Sequence, residues 1–273
     1  RKVVTITVVG ETAVPDISSV SPKAALGTYA WDELKAIANA LSAASSDAEG
    51  LAIAKRYNLV DADGHLTGDT KAMTVSGLGT AQVRIAGLRH DRRADGTGVA
   101  GITFEFANSV GTHVMNPGQG NYGGWERGDM RSWLNGTYLA LLPAELRDRI
   151  VEVSKYTNNV GETSDASCVS ATTDKLWLLS ACEVYGTTDG VGENMPRQPA
   201  ICNAEGSQYK FYAERGVTYD DFGAAGKPGV SGGWWLRTPS TVYAFLFRDV
   251  ADDGNWLNKN SDDVHGVSPG FCL

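Results

Sequence analysis

The chain has 273 residues, 42% hydrophobic and 21% charged, enough for one large domain or two modest ones and too apolar for a disordered polymer. Its 24 basic and 32 acidic residues give a net charge of −8. That argues against a nucleic-acid binder, and no stretch approaches the roughly 18 continuous apolar residues of a membrane helix. The 32 glycines, 7 tryptophans and 10 tyrosines point to a loop-rich body with aromatic anchors.

Lys2–Val9 is β-branched and alternates as a strand does, and so is no apolar signal-peptide core. With the polar, proline-bearing residues up to position 20, it reads as the end of a preceding, immunoglobulin-like module plus a linker, the alternative being a strand of the main sheet. The main domain is expected over residues 21–273. Trp31–Leu41 carries Trp31, Leu34, Ile37, Ala38 and Leu41 at helical spacing, capped at Thr28 or started near Asp32, and Leu51–Tyr57 continues as a second helix. Asp61 to Gly64 lacks the later ligands of a calcium loop and reads as a turn. Met73–Val75, Gln82–Leu88 and Gly101–Phe106 are short strands. Asp129–Leu134, with Asp129 as N-cap, and Pro143–Ile150 are short helices. Val151–Lys155, Lys175–Ser180 and Gly232–Arg237 are strands, and Gly186–Gly206 is a long polar loop.

No enzyme class rises above background. The four histidines are scattered, and no nucleophile elbow, H-E-x-x-H or phosphate loop occurs. Cys168, Cys182, Cys202 and Cys272 show no C-x-x-C spacing; they are either one or two disulfides or buried thiols.

Ser240–His265 differs from the rest. It mixes Tyr, Trp, Arg, Asn, Asp and His between the stiff sequences GGWWLRTP and GVSPGFCL, a composition that binding loops favour. Alternation along Tyr243–Arg248 places Phe245 and Phe247 inward and Ala244, Leu246 and Arg248 outward. Asp252, Asp253, Asn255, Trp256 and Leu257 extend the contact set. Asn258, Asn260, Asp262, Asp263 and His265 complete it. Tyr243 and Trp256 are the expected anchors, whereas Trp125, Trp133, Trp177, Trp234 and Trp235 are expected core pins.

Three blocks in order, Asn121–Asn135 (NYGGWERGDMRSWLN), Asp174–Tyr185 (DKLWLLSACEVY) and the tail WWLRTP to GVSPGF, carry a resemblance. From about Ala24 to Leu273 the chain resembles modules on secreted proteins of gut bacteria, themselves similar to the formylglycine-generating branch of the C-type lectin fold. The resemblance implies an α+β, C-type-lectin-like fold with short irregular strands, a few helices and long loops, at an extracellular or cell-surface address. Some members of that fold are variable proteins of diversity-generating retroelements, diversified in a C-terminal segment. Adenine mutagenesis of asparagine codons never yields Lys, Glu, Gln, Met or Trp, and Ser240–His265 holds only Trp256 and Lys259 from that set. The family's catalytic cysteine pair and the calcium ligands of animal lectins do not map here; Glu193 to Pro196 is the nearest approach to the latter.

The resulting expectation is a noncatalytic adhesin-type module without cofactor, binding a protein or cell-surface ligand through residues 240–265. The alternatives are an oxidase of the formylglycine-generating type and a structural adhesin module.

Overall fold

Trp31 to Leu41 does form a helix, because its apolar residues recur on one face and have a sheet to cover. In the computed structural model, which describes residues 16–118, 120–187, 199–229 and 232–273, helix α1 spans Trp31–Ala43. Its N-cap is Ala30, whose N–H donates to Glu33 Oε2 at 2.7 Å, while Thr28 ends a preceding 3-10 turn. Helix α2, Asp47–Arg56, starts earlier than its apolar residues suggest because Ser46 caps it.

The first sheet is antiparallel, in the order β1 (Thr70–Val75), β2 (Gly79–Leu88), β3 (Ile102–Phe106), β12 (Pro269–Cys272), β7 (Trp177–Leu178). Trp31 packs edge-on against Phe104 and Phe271, joining α1 to its centre. The second sheet runs β10 (Trp256–Asn260), β9 (Leu246–Val250), β8 (Trp234–Pro239), β11 (His265–Gly266), β4 (Thr112–His113), with only β11 and β8 parallel. Strands β5 (Val153–Asn158) and β6 (Val169–Asp174) form a separate hairpin.

The remaining helices are short. α3 (Asp129–Trp133) runs through a π turn into α4 (Leu139–Leu141), and α5 is Ala144–Arg147. Then come α6 (Ala181–Tyr185), α7 (Pro199–Ala204) and α8 (Lys210–Ala213). This is an α+β fold with long connections. One apolar core runs from Val20 to Leu273.

Several local expectations change. Gly128, not Asp129, is the N-cap of α3, and the Asp129 N–H donates to Asn116 Oδ1 at 3.0 Å. Only Trp177 and Leu178 of the KLWLLS run are strand, because Ser180 and Glu183 form a capping box that opens α6. Residues 186–206 are not all loop, since α7 lies within them. Cys168, Cys182 and Cys272 are free thiols. Asp61 does organise a turn, with Oδ1 accepting from the N–H groups of Asp63 and His65. The expected strand Lys2–Val9 and the Glu193 to Pro196 sequence lie outside the described residues.

Among the expected pins, Trp125, Trp177, Trp234 and Trp235 are fully buried, while Trp133 is partly exposed and stacks on His113.

Candidate functional site

The C-terminal segment enters at Ser240, directly after β8. From there the chain makes a turn before β9 begins. Ser240 Oγ accepts from the N–H groups of Val242 and Tyr243, and the Ser240 N–H donates to the Leu246 carbonyl at 2.9 Å. That closure turns several carbonyls towards the interior. Asn121 receives them. Its buried Nδ2 donates to the carbonyls of Ser240, Tyr243 and Leu246 at 2.9–3.0 Å, and its N–H donates to that of Ala244.

The knot is locked from behind by Gly161. Its φ is +108°, and a Cβ there would lie 2.6 Å from the Asn121 carbonyl oxygen. The loop behind it is tied in as well, since the Gly123 N–H donates to the Val160 carbonyl. Ser261 closes the other flank, its Oγ accepting from Gly120 N–H at 2.6 Å.

Outward from this knot stand apolar side chains. Tyr122 is 71% exposed, Tyr243 46% and Phe245 42%, with Val242 and Val160 also open to solvent. The Tyr243 and Phe245 rings lie 5.9 Å apart. Exposed apolar residues gathered from three loops over a hydrogen-bonded base differ from the scattered ones that any surface carries.

The expected contact residues divide. Tyr243 is exposed, while Ala244 and Leu246 are half-buried at the turn. Phe245 does not point inward, because β9 starts only at Leu246 and strand alternation does not reach back to it. Arg248 does not point outward. It is 8% exposed, with its guanidinium over the Trp256 ring at 4.7 Å. Asp252 and Asp253 are exposed in the β9–β10 turn, where Asp253 accepts from the half-buried Asn255. Trp256 is half-buried against the core, edge-on to Tyr219, so it supports more than it presents. Leu257 is exposed on β10, with Asn258 and Asn260 half-buried beside it. Asp262 and Asp263 are exposed in the next turn, directly after Ser261, which is tied to Gly120 beside the knot. His265 is 4% exposed, because β11 lies between β8 and β4; its Nε2 sits 3.2 Å from Asp249 Oδ2.

The sequence reading missed Asn121, Tyr122 and Val160. The only hint was that Asn121 and Tyr122 open the NYGGW block, with its turn-forming glycines.

Electrostatics separates this face from the interior. Burial raises the Cys182 thiol to about 12 and pushes Cys272 well up, opposite to the activation a reactive thiol requires. Among the described residues, no group of three His, Cys, Asp or Glu side chains is placed to hold a metal ion, and no helix is long and apolar enough to cross a membrane.

The family model described as "Domain of unknown function (DUF6273)" matches residues 109–273, more than half of the chain, and the chain belongs to that family. The match includes every part of the ridge but not β1 to β3, although β3 pairs with β12 in one sheet. No curated protein and no solved structure matches the chain.

Proposed function

We propose that this chain is a noncatalytic, extracellular ligand-binding module with a C-type-lectin-like fold. Its binding face is the ridge of Val242, Tyr243, Phe245, Tyr122 and Val160. The observation that carries this reading is the Asn121 knot: exposed aromatics stand on a turn whose carbonyls are already tied down. Such side chains lose little freedom on binding, and aromatic anchors on rigid supports dominate protein interfaces. The partner is a protein with an apolar patch. Asp262 and Asp263 beside the ridge favour basic groups around that patch. The raised thiols of Cys182 and Cys272 weigh against the oxidase alternative.

Diversification by a retroelement suits the same architecture. Residues 242–245 can vary while Ser240, Asn121 and Ser261 hold the turn. Exchanging residues 242–245 among natural variants should change partner choice with an unchanged melting temperature. Unchanged partner choice, or loss of folding, would overturn this face. A near-copy of the segment's codons beside a reverse-transcriptase gene, with adenines at the divergent positions, tests the diversification.

A further inference from the structure

A concavity lies under His90 and Ser207, on the far side of Asn158 from Gly161 in the hydrogen-bond chain. It encloses about 170 Å³, and its floor is made of Asp91, Lys155, Glu183 and Glu205, all buried. Charged side chains almost never lie this deep unless each is paired, so their pairing can be followed atom by atom.

Three of the four are saturated. Lys155 Nζ spends its three donors on Asp91 Oδ1 at 2.6 Å, Tyr209 OH at 3.1 Å and Glu183 Oε1. Asp91 also accepts from the hydroxyls of Thr103 and Tyr209. Glu183 accepts from Lys155, from both terminal nitrogens of Arg237 and from the Ser180 N–H.

Glu205 is the exception. It accepts from Asn158 N–H at 3.0 Å and from Thr238 Oγ1 at 2.5 Å, two bonds where a carboxylate has room for about four. Among the described residues no cation reaches its carboxylate, and Arg237 bonds only to its main-chain oxygen. The centre thus sets three carboxylates (Asp91, Glu183, Glu205) against two cations (Lys155, Arg237). Among the described residues it is one positive charge short, and Glu205 is one of the residues lining the cavity.

We infer that this cavity is a second binding site, shaped for the ammonium or guanidinium head of a small organic cation, with Glu205 as its counter-ion. The volume suits a head group and a short stem rather than a drug-sized ligand. The half-exposed Tyr156 lines the mouth and offers an aromatic neighbour to a cation. Arg92 also lines it and opposes a cation, but it is exposed to solvent and screened.

Burial raises the Glu205 carboxyl above its ordinary value, Arg237 opposes that rise, and Glu183 adds to it. The Cys182 thiol and the Tyr219 phenol also sense its charge. A bound cation favours the ionised form. Binding therefore releases a proton near the native Glu205 value, and affinity falls as pH drops through it.

The test is titration of the chain with n-butylammonium, N-methylguanidinium and the neutral isostere n-butanol, followed by calorimetry and by the amide resonances of Gly206 and Ser207. The cations should bind saturably, shift those two amides and weaken as pH falls, whereas butanol should do none of this. Glu205→Gln and the mouth-blocking Ser207→Trp should each weaken cation binding at least tenfold, about 1.4 kcal/mol. If Glu205→Gln does not fold, Ser207→Trp and the isostere comparison decide. Blocked lysine and arginine amides identify the source. Binding equal to that of the free amines assigns a peptide side chain, and exclusion of them assigns a free amine. Equal binding of butanol, absence of saturation, or full affinity in Ser207→Trp would overturn the site.

Discussion

Two polar centres flank the end of β8, and they hold their surroundings by different means. Arg237, within the strand, is buried among Glu183, Lys155 and Asp91, a centre built on full charges. The knot beyond Ser240 is built on one neutral amide, Asn121, which gathers four carbonyls. The charged centre depends on every member, because removing one leaves its partner charged in a medium that cannot solvate it. The amide knot strands no charge and does not titrate. A turn meant to keep its shape while its outer side chains change is better served by the second device.

The largest expected effect breaks the charged centre. Glu183→Gln leaves Arg237 and Lys155 short of a counter-charge and should cost about 3–5 kcal/mol in denaturant unfolding. Asn121→Ala removes three side-chain hydrogen bonds and should cost about 2–3 kcal/mol, while weakening the binding of any partner on the ridge.

The pH dependence sharpens the contrast. Burial pushes Asp91 and Glu105 up, but the charges of Lys155 on one and of Arg84 and Lys227 on the other hold both at about 2; Glu183 is also lowered. These carboxyls bind protons less readily folded than unfolded. The stability they contribute is present above about pH 4.5 and is lost as pH falls towards 2. Glu205 has the opposite sign, since its raised carboxyl contributes stability that fades as pH rises through its native value. The penalty of Glu183→Gln should therefore shrink as pH falls below about 4.5, and that of Asn121→Ala should stay level across the same range, in paired melts at each pH.

Smaller effects follow at the edges of the knot. Gly161→Ala forces a Cβ against the Asn121 carbonyl at positive φ and should cost about 1–3 kcal/mol. Phe245→Ser, at an exposed turn position, should change stability by less than about 0.5 kcal/mol while weakening partner binding. A large loss of stability in Phe245→Ser would show that the ridge belongs to the core.

Much of the frame was legible in the chain. The spacing of Trp31, Leu34, Ile37 and Leu41 foretold α1, and the β-branched, aromatic runs around Val83, Phe104 and Trp234 foretold the strands. Burial of Trp125, Trp177, Trp234 and Trp235 followed from size and apolarity. The binding segment was legible only in outline. Composition drew attention to residues 240–265 but assigned Phe245, Arg248 and His265 to the wrong sides. Alternation holds only where a strand has begun, and a strand at mid-sheet buries polar residues too.

What the sequence determined by itself was therefore local: which stretches pair or coil, which tryptophans go inside, and that the C-terminal segment is unusually polar and aromatic. Tertiary structure alone decided the sites. Asn121 lies 119 residues before Ser240, and Lys155 lies 64 residues after Asp91. Neither spacing has a period that a sequence could display. Hydrogen bonds and ion pairs across such distances exist only after the sheets have brought the elements together. The same holds for Glu205, an ordinary loop residue until burial leaves its charge unmatched.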